Sequence, residues 1–386
     1  MTIFAKKGKS EIKLKELTEL LQEFRAPTSL VFTPTNLKEE RKRFFESSSY
    51  NPLFTYTVVK NKNADILAKL SSVKVVTDVD PRISEFYLEL IDSKHQLNEL
   101  LHSVGQNFRF TRLSQERFGM PGDILFRNAT RVLRGKVKNY KLMDEGSKKV
   151  ERKLRYEEIA ETMAIVLEEL GLSDWKAGKS KNIDKNGVKV GIKKKEILMD
   201  PEIEKSAVDL RKTIVHEFTH IARAYNGEQT KVPALANSNL PSYLEAEEGL
   251  ATYNEEMVGV LKKKDLVGRA VKVWAIRVGE QMSFRELYNA TQAFAPRIEA
   301  FHIVYRVKRG LGDTNMPGIY SRDYNYFKGF RRVRNKVEKD PTIYEKLYAG
   351  KIGFSQIKWV DEGLIPKPKL VYSKKMFDDA FKVAGL

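Results

Sequence analysis

Residues 213–223 read TIVHEFTHIAR and contain the pattern HExxH. In a helix, positions i and i+4 lie on one face, so His216 and His220 can direct ring nitrogens at one metal ion. Glu217 then lies beside them, where it can accept a proton from metal-bound water. The pattern predicts a zinc site with both histidines as ligands and Glu217 as the catalytic base.

The residues around this motif favour a helix with two distinct faces. Ile214, Phe218 and Ile221 form an apolar stripe, so the histidines occupy a different face. Asn226 and Gly227 predict the end of the helix shortly after the motif. The alternative interpretation is an amphipathic helix whose histidines hold no metal.

The residue types present in the chain limit the third ligand. The 386 residues include five histidines and no cysteine, which excludes disulfide scaffolds, thiol nucleophiles and cysteine-ligated zinc or iron–sulfur sites. Catalytic zinc takes three protein ligands and leaves one position for water. His95, His102 and His302 are remote from the motif in sequence, so we expect a carboxylate as the third ligand.

Residues 244–255, LEAEEGLATYNE, supply such carboxylates. The run resembles the second metal-binding helix of the Glu-zincin peptidases, in which the glutamate directly before the glycine is the ligand. This resemblance implies Glu248, in preference to Glu247, as the third zinc ligand. The alternative interpretation is an acidic first helical turn, which the helix dipole favours.

The charge balance points to acidic partners. Lys and Arg number 69 against 51 Asp and Glu, a net charge of +18. Long-range attraction then favours an acidic polypeptide, nucleic acid or anionic lipid, unless the surplus is spread over solvated faces. No zinc-finger, RRM or KH signature is present, so we do not expect nucleic acid as a partner.

Membrane and secretion signals are also absent from the sequence. No apolar run approaches the roughly 18 residues that a bilayer span needs. The basic residues near the start are not followed by an apolar stretch, so they do not form a secretory signal. We therefore expect a cytoplasmic protein without a membrane partner.

The pattern of apolar residues predicts the fold class. Residues 10–25 indicate an amphipathic helix, and residues 265–294 indicate further helix. Val188–Ile192 and Glu196–Met199 are predicted strands. We predict an α+β protein with a mainly helical zincin-like metallopeptidase core, a small β-sheet and a helical N-terminal lobe.

Two domains are expected. Residues 1–145 would form the helical N-terminal lobe, and residues 146–386 the metallopeptidase catalytic domain. In Glu-zincin peptidases an edge strand before the HExxH helix pairs with the extended substrate. Either predicted strand is a candidate for that role, and a purely structural hairpin is the alternative.

Further segments resemble the microtubule-associated tyrosine carboxypeptidase family, whose bacterial relatives are labelled flavohaemoglobin-expression-modulating proteins with a QEGLA motif. The resemblance runs from about residue 30 to 365. It is carried by residues 34–45 (PTNLKEERKRFF), 50–56 (YNPLFTY), 118–121 (FGMP), 247–251 (EEGLA), 306–310 (RVKRG) and 318–329 (GIYSRDYNYFKG).

The first motif departs from the family pattern. In many members the motif reads HEIGTH, with five steps between the histidines, whereas in this chain it reads HEFTH, with four. Four steps is the ordinary zinc spacing, so we expect metal binding to be kept. Tyr320 and Arg322 stand where the family has Phe and Lys, which keeps the chemical character and changes the geometry.

The resemblance implies a zinc carboxypeptidase that removes a C-terminal tyrosine, an activity known for tubulin tails in animal members. Its partner would be a protein or peptide C-terminal tail, and an acidic tail would suit the basic chain. A carboxypeptidase needs a fixed cation for the terminal carboxylate and a donor for the oxyanion. The candidate cations are Arg306, Arg309 and Arg322, and the candidate hydroxyl donors include Tyr320 and Tyr326.

Two other function classes remain open. A zinc endopeptidase or aminopeptidase would lack the carboxylate-binding arginine, and an aminopeptidase would bind an amine through Glu245 or Glu247. In a non-catalytic basic binding protein, the HExxH motif would be vestigial. The intact set of His216, Glu217, His220 and Glu248 argues against a vestigial motif, because decay usually removes the base or a ligand.

Overall fold

In a computed structural model, the structure describes residues 10–58, 60, 62–76, 79–143, 152–181, 183, 186–237 and 241–386. Helices dominate it. The helices are α1 Leu14–Glu23, α2 Thr28–Val31, α3 Leu37–Glu46, α4 Ala64–Ser72, α5 Pro81–His102, α6 Asn107–Phe118, α7 Asp123–Leu133, α8 Tyr156–Glu169, α9 Ala207–Glu228, α10 Pro241–Val258, α11 Lys263–Gly279, α12 Phe284–Thr291, α13 Arg297–Lys308, α14 Asn325–Lys339, α15 Thr342–Lys346, α16 Lys358–Asp361 and α17 Lys374–Val383.

The strands are short and form small sheets. They are β1 Ser10–Ile12, β2 Val73–Val76, β3 Lys153–Arg155, β4 Lys176–Lys179, β5 Val188–Gly191, β6 Glu196–Met199 and β7 Glu204–Ser206. β1 pairs with β2 in parallel, and β3 pairs with β7 antiparallel. The predicted class, a mainly helical α+β protein with a small sheet, is confirmed.

The three-stranded sheet has the order β4-β6-β5. β6 lies in the centre, parallel to β4 and antiparallel to β5. Ile197 and Met199 alternate with more exposed residues along β6 and are fully buried, as expected for a strand with one face on the core. Of the two strands predicted from the sequence, only β5 therefore lies at a sheet edge.

The chain forms two compact units. The first contains Met1–Lys136, Asn239–Pro241 and Leu266–Lys328. The second contains Val137–Ser238, Ser242–Asp265 and Gly329–Leu386. The domain boundary expected near residue 145 stays a prediction.

The first unit has an aromatic-rich core. Its central cluster consists of Val31, Phe32, Leu100, Leu101, Phe110, Leu311 and Tyr320. The Tyr320 ring packs on Phe32 and Phe110, with ring centroids 5.3 Å and 5.5 Å away. Aromatic contacts of this kind stabilise a core beyond the area that they bury.

Two helix predictions differ from the structure. Residues 10–12 form β1, and the helix starts at Leu14, because the first residues pair with β2. The stretch 265–294 is divided between α11 and α12. Ser283 caps α12 by accepting a hydrogen bond from the Glu286 amide, so a capping box marks the second helix start.

The described part of the chain contains no helix that is both long enough and apolar enough to cross a membrane.

Candidate metal centre

Helix α9 presents the HExxH motif. β7 leads into it, and the Ser206 hydroxyl accepts a hydrogen bond from the Asp209 amide, 3.2 Å away, at its start. Ile214, Phe218 and Ile221 are fully buried, so the apolar stripe predicted from the sequence is confirmed. With that stripe fixed in the core, the face carrying the two histidines has a defined direction.

Gly227 has a different role from the one predicted. The helix continues through Gly227 to Glu228, so this glycine does not end it. A Cβ at Gly227 would lie only 2.1 Å from the carbonyl oxygen of Leu235. The glycine therefore allows the turn at Pro233–Ala236 to contact the last turn of α9 directly.

His216, His220 and Glu248 converge. One potential ligand atom from each of them lies within 4.8 Å of the others. His216 Nε2 is 3.3 Å from Glu248 Oε2, and the two imidazole rings stand nearly perpendicular, 4.8 Å apart at their centroids. No other group of three or more His, Cys, Asp and Glu suited to a metal occurs among the described residues.

A carboxylate lies close to the Nδ1 atom of each imidazole ring. His216 Nδ1 lies 2.8 Å from Glu255 Oε1, and His220 Nδ1 lies 2.9 Å from Glu247 Oε1. A carboxylate at Nδ1 places the ring proton there and leaves the Nε2 lone pair for a metal. This is the arrangement that metal-binding histidines use, because it fixes the tautomer and raises ligand basicity.

The carboxylates dominate the electrostatics of the site. Burial lowers the pKa of His216, but the hydrogen bonds to Glu248 and Glu255 outweigh it and raise that pKa to about 10. Burial raises the pKa of Glu217, against the lowering effect of both histidines. The carboxylates thus favour a positive charge at the site, while the pKa of Glu217 is raised above its ordinary value.

A close helix crossing positions Glu248. A Cβ at Gly249 would lie 2.5 Å from the carbonyl carbon of Gly329, and a Cβ at Gly329 would lie 2.0 Å from the carbonyl oxygen of Glu245. Only glycines permit α10 and α14 to approach this closely. Gly329 therefore lies directly against the EEGLA segment that contains Glu248.

A buried polar network also links α9 with α10. The Asn254 side-chain amide donates to the hydroxyl of Thr219 and to that of Tyr348, both at 2.7 Å. The Tyr344 hydroxyl donates to the Asn254 carbonyl oxygen at 3.0 Å. Thr219 and Asn254 are sequence neighbours of His220 and Glu255, so the network fixes the two helices where they carry the site.

Sequence reasoning named some of these residues without their roles. Glu255 follows Glu248 by seven positions, which places both on one helix face, so it had a detectable signal. Arg223, three residues after His220, is fully buried and donates to Glu247. Lys351 also donates to Glu247. No local sequence pattern indicates this contact, because 104 positions separate the two residues.

The five predicted substrate-binding residues lie together in the first unit, around the buried carboxylate of Asp323. Arg306 donates from Nε to Asp323, and an Arg309 guanidinium nitrogen lies 3.6 Å from the other carboxylate oxygen. The Arg309 guanidinium is 5.0 Å from the Tyr320 ring centroid. Arg322 and Tyr326 lie near enough to influence the pKa of Arg306, which Asp323 raises against the effect of burial.

Comparisons with known proteins identify the family of the chain. A family model described as "Microtubule-associated tyrosine carboxypeptidase" matches residues 42–385. "Microtubule-associated tyrosine carboxypeptidase 1" of Rattus norvegicus is 26% identical over 136 residues, 34% of this chain and 28% of the relative. The protein of the same name from Homo sapiens is 28% identical over 114 residues, 29% of this chain and 23% of the relative. The aligned part of the chain thus spans less than a third of these curated relatives.

Proposed function

Because this chain belongs to the microtubule-associated tyrosine carboxypeptidase family, we propose that it is a zinc-dependent carboxypeptidase acting on a protein or peptide C-terminus. The single observation that carries the proposal is the convergence of His216, His220 and Glu248, with a carboxylate already at each histidine Nδ1. Two imidazole nitrogens and one carboxylate oxygen are a donor set of catalytic zinc sites.

In the proposed mechanism His216, His220 and Glu248 would hold a zinc ion. A bound zinc ion would polarise the scissile carbonyl and lower the pKa of its water. Glu217, beside His216 on α9, accepts the proton at its carboxylate and passes it to the leaving amine. Glu255, which lies 2.8 Å from His216 Nδ1, would fix the direction of that imidazole ring.

Strand β5 offers a place for the substrate backbone. β5 lies at the edge of the three-stranded sheet and α9 packs against it, whereas β6 is internal. An extended peptide can add to a sheet only at an edge strand. We therefore propose β5, in preference to β6, as the strand that pairs with the substrate.

The arginine cluster around Asp323 is the proposed recognition group for the terminal carboxylate. Arg306 and Arg309 contact Asp323, and Arg322 is their neighbour. Tyr326 is a better candidate than Tyr320 for an oxyanion donor, because the Tyr320 ring is packed in the core with 2% of its surface exposed. If this role is correct, Arg322→Gln should reduce the preference for a free terminal carboxylate over a terminal amide.

The aminopeptidase alternative finds less support. It would need Glu245 or Glu247 to bind a substrate amine. Glu245 is 3.2 Å from an Arg332 guanidinium nitrogen, and Glu247 binds Arg223 and Lys351. Carboxylates that are already bound to cations of the same chain are poor acceptors for an external amine.

The test is mass spectrometry of a mixed peptide library incubated with the purified chain. We expect loss of single C-terminal residues, abolished by a chelator and reduced about 10²–10⁴-fold by Glu217→Gln. The variant should keep its metal, which separates loss of the base from loss of the site. Internal cuts, trimming from the N-terminus or undiminished cleavage by the variant would contradict the proposal.

The same library addresses the substrate. We propose a preference for C-terminal tyrosine and for acidic tails, which the charge of +18 would attract. KM for an acidic tail should then rise with salt, and KM for a neutral tail should not. A salt-independent KM for the acidic tail would contradict the charge argument. A cytoplasmic location and the absence of a nucleic-acid partner stay predictions.

A further inference from the structure

Glu247 lies directly beside Glu248 in the chain but faces a different set of partners. Consecutive residues of a helix point about 100° apart, so the two carboxylates leave α10 in different directions. Glu248 joins the histidine cluster. Glu247, whose side chain is 3% exposed, meets Arg223, Lys351 and His220 instead.

Three donors converge on the Glu247 carboxylate. Arg223 donates to Oε2, Lys351 donates to Oε1, and His220 Nδ1 lies 2.9 Å from Oε1. Burial raises the pKa of Glu247, but the charges of Lys351 and Arg223 hold it well below the usual range. With Arg223 at one carboxylate oxygen and Lys351 at the other, the Glu247 side chain is fixed in place beside the His220 ring.

The two cations connect this carboxylate to the segment Leu347–Ile352. Arg223 donates from Nε to the carbonyl oxygen of Leu347 at 2.8 Å and from a terminal nitrogen to that of Ile352 at 2.6 Å. Lys351, within this segment, also donates to the carbonyl oxygen of His220 at 3.1 Å. The segment thus contacts His220 directly through Lys351 and is joined to Glu247 through both cations.

We propose that Glu247 is a positioning residue of the metal centre, which Arg223 and Lys351 hold against His220 Nδ1. The inference rests on the proposed zinc site and extends it to residues that touch neither ion nor substrate. Its physical basis is geometric: an imidazole binds a metal well only with the correct tautomer and ring direction. Without Glu247, the ring of His220 is free to rotate and to move its proton to Nε2.

The competing explanation is that Glu247 is only a buried ion pair that stabilises α10. Glu256 offers a matched comparison on the same helix. It is 4% exposed, lies 3.2 Å from Arg334 Nε and accepts a hydrogen bond from the Lys141 amide. Neither partner is a histidine, so Glu256→Gln removes a similar buried ion pair and leaves both imidazoles in place.

The experiment measures zinc affinity of the full chain by competition with a chromophoric chelator, together with thermal unfolding of the metal-free form. In the Glu247→Gln variant, the side-chain amide has one acceptor oxygen for three donors. Its NH₂ group then faces the donors that the oxygen does not reach. We expect it to weaken zinc binding about 10–100-fold. Glu256→Gln should lower the unfolding temperature of the metal-free form and leave the zinc Kd unchanged.

Equal zinc affinity of Glu247→Gln and the wild type would overturn the inference while leaving the proposed zinc site intact. Equal losses of affinity in the Glu247 and Glu256 variants would also overturn it, since the effect would then be general destabilisation. A wild-type chain that binds no zinc would contradict the proposed function itself, and the inference with it.

A second variant covers the case in which Glu247→Gln does not fold. Glu247→Gln with Lys351→Met removes one anion and one cation together, so only one buried cation is left to be solvated. We expect this double variant to fold and still to bind zinc about 10–100-fold more weakly than the wild type. Zinc binding at wild-type strength would again overturn the inference.

Discussion

Two clusters of charged side chains each place carboxylates next to positively charged or titratable groups in the protein interior, but they use different partners. In the first unit, the fully buried Asp323 is contacted by Arg306 and Arg309, whose charge does not depend on pH in the physiological range. In the second unit, Glu248 and Glu255 contact His216, whose charge does depend on pH.

The difference separates a cluster of permanent charges from one that can exchange a proton. Arg306 and Arg309 hold the pKa of Asp323 well below its usual range, even though burial raises it. Because that pKa is lowered, the contribution of Asp323 to stability is fully present above the ordinary pKa of aspartate and is lost only as the pH falls below it. A histidine between two carboxylates can exchange its proton for a metal ion, because ligand histidines must be neutral at the metal-facing nitrogen.

The largest effect on stability should come from Asp323→Asn. It leaves two arginines in partly buried positions without their carboxylate, so we expect a loss of about 3 kcal/mol in the free energy of unfolding, measured in urea. Asp123→Asn is the control, because Asp123 pairs with Arg277 in the same unit but has 79% of its side chain exposed. That change should cost below about 1 kcal/mol.

Equal costs for the Asp323 and Asp123 variants would contradict the view that the buried ion pairs of Asp323 stabilise the first unit. Zinc content provides the second half of the comparison, since Asp323 belongs to no metal-binding group among the described residues. The Asp323 variant should keep the zinc of the wild type at temperatures where it is folded.

The next largest effect on stability is expected at the helix crossing that positions Glu248 in the second unit. Gly249→Ala would push a methyl group into the backbone of Gly329, and we expect it to cost about 1–3 kcal/mol and to weaken zinc binding. Gly268→Ala is the matched control, since a Cβ at Gly268, also within a helix, meets nothing within 4 Å.

Gly268→Ala should stabilise the protein by roughly 0.5–1 kcal/mol, because alanine is the better helix former. Thermal unfolding and zinc titration of both variants make the comparison. If Gly249→Ala is as harmless as Gly268→Ala, the helix crossing does not position Glu248.

The smallest effect is expected from Lys272. Burial lowers the pKa of its amine from 10.5 to about 8, helped by the nearby arginines and opposed by Asp323. The unfolded chain therefore binds more protons between pH 8 and 10.5, so stability rises with pH in this window. Lys272→Met removes the cost of charging a buried amine and should stabilise the protein at pH 7 by on the order of 1–2 kcal/mol.

Urea unfolding at pH 7 and at pH 10 measures this effect. The advantage of the Lys272 variant should disappear at the higher pH, where the wild-type amine is neutral in the folded state. Lys264→Met, a change at an exposed position of the same helix, should show no such dependence. A variant that is less stable than the wild type at pH 7 would mean that the Lys272 charge is favourable.

Local patterns predicted a large part of the site. The four-residue spacing of His216 and His220 requires only that the segment be helical, and the apolar stripe on the opposite side made that expectation firm. The choice of Glu248 over Glu247 came from resemblance. Only the structure shows what positions Glu248: the next residue, Gly249, packs against Gly329.

Long-range contacts were not predictable from the sequence. Lys351 and Arg223 meet Glu247 across 104 and 24 positions, and neither distance leaves a periodic signal. The strands β3 and β7 are three residues each, too short for an alternating pattern to be detected. Their pairing depends on residues that are about 50 positions apart in the chain, and no local propensity encodes such a partner.

The measurement that tests the central claim most directly is the zinc content of the purified chain by elemental analysis, for the wild type and the Glu248→Ala and Asp323→Asn variants. We predict about one zinc per chain in the wild type and in the Asp323 variant, and none in the Glu248 variant. Zinc retained in full by Glu248→Ala, or absent from the wild type after reconstitution, would contradict the assignment of His216, His220 and Glu248 as the metal centre.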